Sequence, residues 1–262
     1  MVKPASGRQP VEDRGDDREM SSLYMIEIQF DMSALHNFLY LQGFLGYDDE
    51  TELGYGMHAW LKAAFGDMAP KPWRLLVDNR RPPRILGYST CDAIELSRRM
   101  IEFAEPSVLQ VCPEPAAMIA SRLMPKWQTG RKLRFQVLCC PVGRKSRSGV
   151  EKDLFLIHAD AEQENSRLNR EDVYCDWAKQ KLESKAMTID SIKLAGFRLV
   201  RLARQTRSMN RQRNIRQIIR PQALFEGVLT IRDPDEFNRV LAHGLGRHRA
   251  FGYGMLLLRP MS

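Results

Sequence analysis

The chain has 262 residues, 44 % of them hydrophobic, with 40 Lys+Arg against 32 Asp+Glu and a net charge of +8. That length and apolar share suit one large globular domain or two small ones of roughly 100–130 residues. No apolar run approaches the roughly 20 residues of a membrane helix, and the N-terminus lacks the apolar stretch of a signal peptide. The five cysteines (Cys91, Cys112, Cys139, Cys140, Cys175) are an odd number without a C-x-x-C pair. This argues against a disulfide framework and structural zinc, and for a reduced, cytoplasmic setting.

Residues 1–22 are polar, of mixed charge and nearly free of large apolar side chains, which predicts a disordered tail. Met20 is an alternative start, because the first structured element begins just after it. Leu23–Phe30 alternates as a strand does, and Asp31 offers an N-cap to a helix carrying Leu35, Phe38 and Leu39. After a turn with Gly43 and Gly46, residues Glu52–Phe65 place Leu53, Met57, Trp60, Leu61, Ala64 and Phe65 at helical spacing, with Gly66 as the stop. Trp73–Val77 and Arg84–Tyr88 read as strands and Ile94–Phe103 as a helix. Pro113 to Gly130 is rich in turn residues and is the expected linker between a domain over 23–112 and another over 131–262.

In the second half Lys132–Cys140 alternates as a strand, and a basic loop from Gly143 to Gly149 leads to a helix expected from about Glu151. A second helix covers Glu171–Glu183. Leu194–Ala203 and Ala223–Ile231 read as strands, Asp233-Pro234 opens a helix that stops at Gly244, and Met255–Leu258 is a short buried strand. The same strand and helix rhythm thus occurs twice, which fits an α+β fold of two tandem ferredoxin-like (RRM-like) domains better than a doubly wound sheet.

The charge is unevenly distributed. Arg198, Arg201, Arg204, Arg207, Arg211, Arg213, Arg216 and Arg220 fall in one stretch without an acid or a lysine, and they equal the net charge of the chain. A solvated face usually mixes signs and uses lysine freely, whereas arginine alone favours forked hydrogen bonds to phosphate and stacking on bases. The stretch therefore points to nucleic acid. Steps of three and four would suit a helix, but the flanking strands favour a hairpin with an arginine-bearing finger.

Among the histidines, His58 lies in the Glu52–Phe65 helix with Tyr55 three residues before it, so an imidazole and a phenol share one face. A lone helical histidine is more often structural than catalytic, and the spacing alone does not decide between the two. His36, His158 and His248 have no obvious partner, and His243 at a helix end suits the dipole. No carboxylate or histidine spacing matches a metal site, so neither metal nor other cofactor is expected. Cleavage without metal is open to RNA, whose 2′-hydroxyl can attack the adjacent phosphate, and not to DNA. Gly244 to Gly254 encloses Arg247 and Arg249, and either a tight turn or direct phosphate contact would explain it.

Three stretches together resemble the CasE family of CRISPR repeat endoribonucleases. They are Ala223-Leu224-Phe225-Glu226-Gly227 through Asp233-Pro234 to Gly244-Leu245-Gly246-Arg247 and Phe251-Gly252-Tyr253-Gly254-Met255-Leu256; Gly54-Tyr55-Gly56-Met57-His58 with Phe65-Gly66 and Pro70-Lys71-Pro72; and Gly130-Arg131-Lys132-Leu133-Arg134-Phe135. The resemblance spans about residues 23–262. It implies two ferredoxin-like domains that bind a repeat-RNA stem-loop and cut it without metal at the 3′ base, leaving a 5′-hydroxyl and a cyclic phosphate. It implies that His58 transfers the proton and that Tyr55 positions the 2′-hydroxyl or the phosphate. Lys62, one turn beyond His58, is a candidate for stabilising phosphorane charge, although the family's lysine is not cleanly matched there. The family's basic hairpin falls on Arg201–Arg216. The implied partners are the processed RNA and other subunits of an RNA-guided effector complex, of type I-E or type IV. A non-catalytic subunit that only holds the stem-loop is the alternative.

Overall fold

A computed structural model describes residues 22–43, 53–144, 151–161, 168–183, 186–207 and 213–261, with backbone alone at 201–207 and 213–218. The expected tail, including Met20, lies outside the described residues but for Ser22, as do Gly46 and most of the basic loop before Gly149.

The first half runs β1 (Tyr24–Gln29), α1 (Met32–Leu41), α2 (Leu53–Phe65), β2 (Trp73–Asp78), β3 (Arg81–Ser89), α3 (Ala93–Phe103), two single-turn helices α4 (Pro106–Leu109) and α5 (Pro115–Met118), and β4 (Ile119–Leu123). Its sheet has the order β2-β3-β1-β4. The second half runs β5 (Lys132–Cys139), the hairpin β6 (Val142–Arg144) and β7 (Glu151–Asp153), α6 (Leu154–Ala161), α7 (Arg170–Leu182), β8 (Met187–Arg207), β9 (Arg213–Ile231), α8 (Pro234–His243) and β10 (Leu256–Pro260). Its sheet has the order β10-β5-β9-β8. With each half's four sheet strands numbered along the chain, both sheets read 4-1-3-2, with every pair antiparallel. This is the ferredoxin-like arrangement twice over, with the arginine stretch in the second copy.

Local chemistry sets the helix starts. Asp31 accepts the Ala34 amide at 2.7 Å, Asp92 the Glu95 amide at 2.9 Å, and Asp233 the amides of Asp235 and Glu236. Each cap satisfies donors that the first helical turn leaves without partners. The apolar stripe of α2 puts Met57, Trp60, Leu61, Ala64 and Phe65 into the first core with Leu35 and Leu39 of α1 and Leu96 and Met100 of α3. Trp60 donates its indole N–H to the Val108 carbonyl at 3.1 Å, so this bulky core side chain has its polar atom satisfied.

Three expectations are corrected. The stretch expected as a linker holds β4, which pairs along β1 and completes the first sheet, so the chain leaves the first domain only after Leu123. Ile119 of that strand is buried while the rest is exposed, which is why the run shows no alternation. The helix expected from Glu151 begins at Leu154, because Glu151–Asp153 pair with Val142–Arg144 and Asp153 then accepts the Phe155 amide. The strands beside the arginines are far longer than the apolar runs suggest: β8 has 21 residues and β9 has 19, paired from Met187↔Ile231 to Arg207↔Arg213. Arginine and glutamine continue the ladder, since backbone pairing does not depend on apolar side chains.

The halves meet over an apolar seam. Leu23 and Tyr88 of the first join the core that β5, α7, β9 and α8 build in the second, and the buried Tyr88 hydroxyl donates to the Leu256 carbonyl at 2.8 Å. Above it Arg74 donates to Gln136, which donates to Glu226. Gly227, the last residue of the Leu-Phe-Glu-Gly run, lies where a Cβ would sit 2.0 Å from the Ser191 carbonyl oxygen and 2.8 Å from the Phe135 ring. Gly227→Ala is expected to destabilise the protein by about 1–3 kcal/mol in urea unfolding. Gly196→Ala, whose new Cβ would meet only Leu224 Cβ at 3.8 Å, should be close to neutral.

Candidate active site

Helix α2 carries Tyr55 and His58 on a face toward the second domain, and both glycines around Tyr55 serve close packing. A Cβ at Gly56 would press on Leu39 of α1 at 2.6 Å, and one at Gly54 would lie 2.8 Å from the Phe251 carbonyl oxygen. Each glycine costs the helix up to about 1 kcal/mol of propensity, which the tight contact on either side offsets. The helix is thereby held between α1 and the glycine-rich loop of residues 244–254.

That loop is the second wall of the site. The Phe251 ring stacks on Tyr55, with centroids 5.8 Å apart and planes at 19°, and meets His58 edge-on at 5.3 Å. Trp73 of β2 donates its indole N–H to the Ala250 carbonyl at 3.0 Å. Farther back, Arg247 and His248 both donate to Glu151, at 2.7 and 3.0 Å. His248, which showed no partner in the sequence, therefore has one. Its backbone is left-handed at φ 61°, a conformation that a non-glycine residue holds only where its surroundings fix it. Both arginines of the loop have partners within the protein: Arg247 donates to Glu151, and Arg249 to the His243 carbonyl.

His58 is half-buried, and its pKa lies below the ordinary imidazole value of 6.5. Burial is the largest cause, followed by the positive charges of Lys71 and then Lys62. All three disfavour the imidazolium, so at neutral pH the ring is chiefly uncharged and able to accept a proton. Lys62 is exposed and paired with Asp67. Lys71, between two prolines, was not singled out in the sequence, yet its charge acts on His58 more strongly than that of Lys62. Among the described residues no three His, Cys, Asp or Glu side chains cluster as metal ligands do.

The arginine stretch divides. Arg198 is exposed on β8, donates to Gln222, and lines a cavity of about 200 Å³ with Leu53, Gly54, Trp73, Phe251 and Tyr253. The root of the hairpin thus borders α2 and the loop. Arg220, in contrast, is only 11 % exposed and sits 3.8 Å from Glu151. Arg201, Arg204, Arg207, Arg213 and Arg216 lie on the paired strands, with Arg204 opposite Arg216 and Arg207 opposite Arg213. Arg211 lies outside the described residues.

A family model described as "CRISPR associated protein" matches residues 23–260. The chain belongs to that family. Comparison with curated protein sequences gave no significant match. Among solved structures, this CRISPR associated protein is similar to "CRISPR endoribonuclease Cse3 bound to 19 nt RNA", at 17 % identity and TM-score 0.61 over 91 % of this chain and 100 % of that one. It is also similar to Thermus thermophilus Cse3 "bound to an RNA representing a pre-cleavage complex", at 17 % identity and TM-score 0.53, again over 91 % and 100 %. A chain of a "CRISPR RNA-guided surveillance complex" matches at 16 % identity and TM-score 0.51, with the same coverage. At such identities the likeness establishes the shared fold.

Replacing Lys71 by Gln is expected to raise the His58 pKa, and Lys62→Gln to raise it less, when the imidazole C2 proton is titrated by NMR. Equal shifts, or a larger one for Lys62→Gln, would contradict the order of charges around the ring.

Proposed function

We propose that this CRISPR associated protein is a metal-independent endoribonuclease that binds the stem-loop of repeat RNA, cuts at its 3′ base and keeps the product as a subunit of an RNA-guided effector complex. The observation that carries the reading is the half-buried, chiefly neutral His58, next to Tyr55 on a helix whose Leu53 and Gly54 line one cavity with Arg198 of the hairpin root. Family membership and a fold shared with RNA-bound endoribonucleases support it. So does the likeness to a chain of a surveillance complex.

In this mechanism the His58 imidazole takes the proton of the 2′-hydroxyl, and the freed oxygen attacks the adjacent phosphorus. Tyr55 orients the hydroxyl or the phosphate. The Lys71 and Lys62 ammonium groups favour the charge that gathers on the phosphorane oxygens. The bond to the 5′-oxygen breaks, and that oxygen takes a proton from the imidazolium or from water. The products are a 2′,3′-cyclic phosphate and a 5′-hydroxyl. The hairpin holds the RNA mainly by its backbone, because the A-form major groove is deep and narrow. The five cysteines are free thiols, and among the described residues no helix is long and apolar enough to cross a membrane, which suits action in the cytoplasm.

With the protein's own repeat RNA in EDTA, His58→Ala should slow single-turnover cleavage by about 10²–10⁴-fold while leaving affinity near that of the wild type. A 2′-deoxy nucleotide at the scissile position should abolish cutting. Wild-type protein that binds the RNA but never cuts it would favour the stem-loop-holding subunit instead. Because His58 must be neutral to act as base, and its pKa is lowered, the rate should rise with pH through an apparent pKa below 6.5 and be level at neutrality. A rate that falls over that interval would reverse the assigned role.

Replacing Arg204, Arg207, Arg213 and Arg216 by Ala should weaken binding and flatten its salt dependence. The slope of log K against log salt should drop by roughly 0.7–0.9 for each phosphate that the protein no longer neutralises. An unchanged slope would remove the hairpin from the RNA interface.

A further inference from the structure

We infer that Phe251, in the glycine-rich loop of the second domain, is a positioning residue for proton transfer at His58 in the first. The inference rests on the reading of His58 as the proton-transfer group and adds to it a residue that does not touch the reacting atoms.

The geometry is specific. One phenyl ring meets both candidate catalytic side chains, lying nearly parallel to the Tyr55 ring and edge-on to the His58 imidazole. Tyr55 and His58 are three residues apart, so their Cβ atoms stand close together on one helix face. A ring packed against both restricts the rotation of each and keeps water from one side of the imidazole. Burial is also the largest cause of the lowered His58 pKa. The other charged groups acting on His58 there, Lys71 and Lys62, are cations and press the same way.

Phe251 is itself anchored on several sides. Its amide donates to the His248 carbonyl at 2.8 Å, and its carbonyl lies against α2 where Gly54 has no side chain. The preceding carbonyl, of Ala250, accepts from the Trp73 indole. The following residue, Gly252, is left-handed at φ 88°, and a Cβ there would sit 3.0 Å from the Trp73 ring. Behind the ring, Glu151 accepts from Arg247 and from His248. His248 is 6.1 Å, centroid to centroid, from Phe251. These contacts form a chain from a carboxylate in β7, through the loop, to the imidazole on α2. A side chain that only filled space would not need its neighbours fixed on so many sides.

The experiment compares wild type, Phe251→Ala, Phe251→Leu and Phe251→Tyr in the full chain, using its own repeat RNA and the NMR titration of the His58 C2 proton. Phe251→Ala is expected to slow single-turnover cleavage by roughly 10–100-fold, the scale of a misplaced reacting group. RNA affinity should hold and the His58 pKa should move up toward 6.5. Phe251→Leu keeps apolar bulk without the ring and should fall between, while Phe251→Tyr should restore both readouts. Should the alanine variant fail to fold, the Leu and Tyr variants carry the comparison. Folded Ala or Leu variants with wild-type cleavage and a wild-type His58 titration would overturn the inference, as would a loss of cleavage matched by an equal loss of affinity. His58→Ala, run beside them, separates the two ideas: if it still cuts, the parent reading falls and this one with it. If His58→Ala is inactive while the Phe251 variants cut normally, only the role of Phe251 falls.

Discussion

The molecule depends on the contact between helix α2 and the loop of residues 244–254. The Phe251 carbonyl reaches the helix because Gly54 has no side chain, and the Trp73 indole fixes the adjacent carbonyl of Ala250. The candidate site draws on both domains: Tyr55 and His58 come from the first, and the Phe251 ring that packs on them from the second. The seam beneath, with Tyr88 bonded to Leu256 and Leu23 inside the second core, keeps the two walls in register. A pair of ferredoxin-like domains on a loose tether would have the same residues without the same geometry.

The division of labour follows from the charge. Arginine is concentrated in β8 and β9, whereas His58, the proposed proton-transfer group, sits in a half-buried place where the charges of two lysines act on it. Binding a polyanion calls for many exposed, permanently charged groups. Proton transfer calls for one group poised between two states and partly removed from water. The two demands conflict in a single location, and on the proposed reading the fold gives each its own domain. The two come together at the hairpin root, where Arg198 lines the same cavity as Phe251.

Much of this was legible in the sequence where the signal is local. Capping aspartates, the stripe on α2 and the alternation in β1 and β5 gave elements whose bounds differ from the structure by a few residues. Signals failed where long-range pairing decides. Strand β4 shows no alternation because four of its five residues are exposed, and it exists because β1 has a free edge beside it. Glu151 reads as a helix start because nothing nearby in the chain reveals its pairing with Arg144. The arginines looked interchangeable, yet Arg220 turns inward to Glu151. Phe251 and Lys71 were inside quoted motifs, but only folding shows what they face.

The length of the hairpin has a mechanical consequence. Strand β5 supports β9 only as far as Ala223, so from Arg198 and Gln222 outward the ribbon has no third strand. Ten residues on β8 lie beyond that point, which is a reach of about 33 Å. Such a ribbon is a cantilever: turning its root by about 5° would sweep the far end through about 3 Å, nearly one residue's rise along a strand. On the proposed reading, accuracy in placing RNA is therefore set at the fixed end, where Arg220 leans on the carboxylate that also secures the loop. One anion thus braces both the root of the arm and the loop that packs against α2.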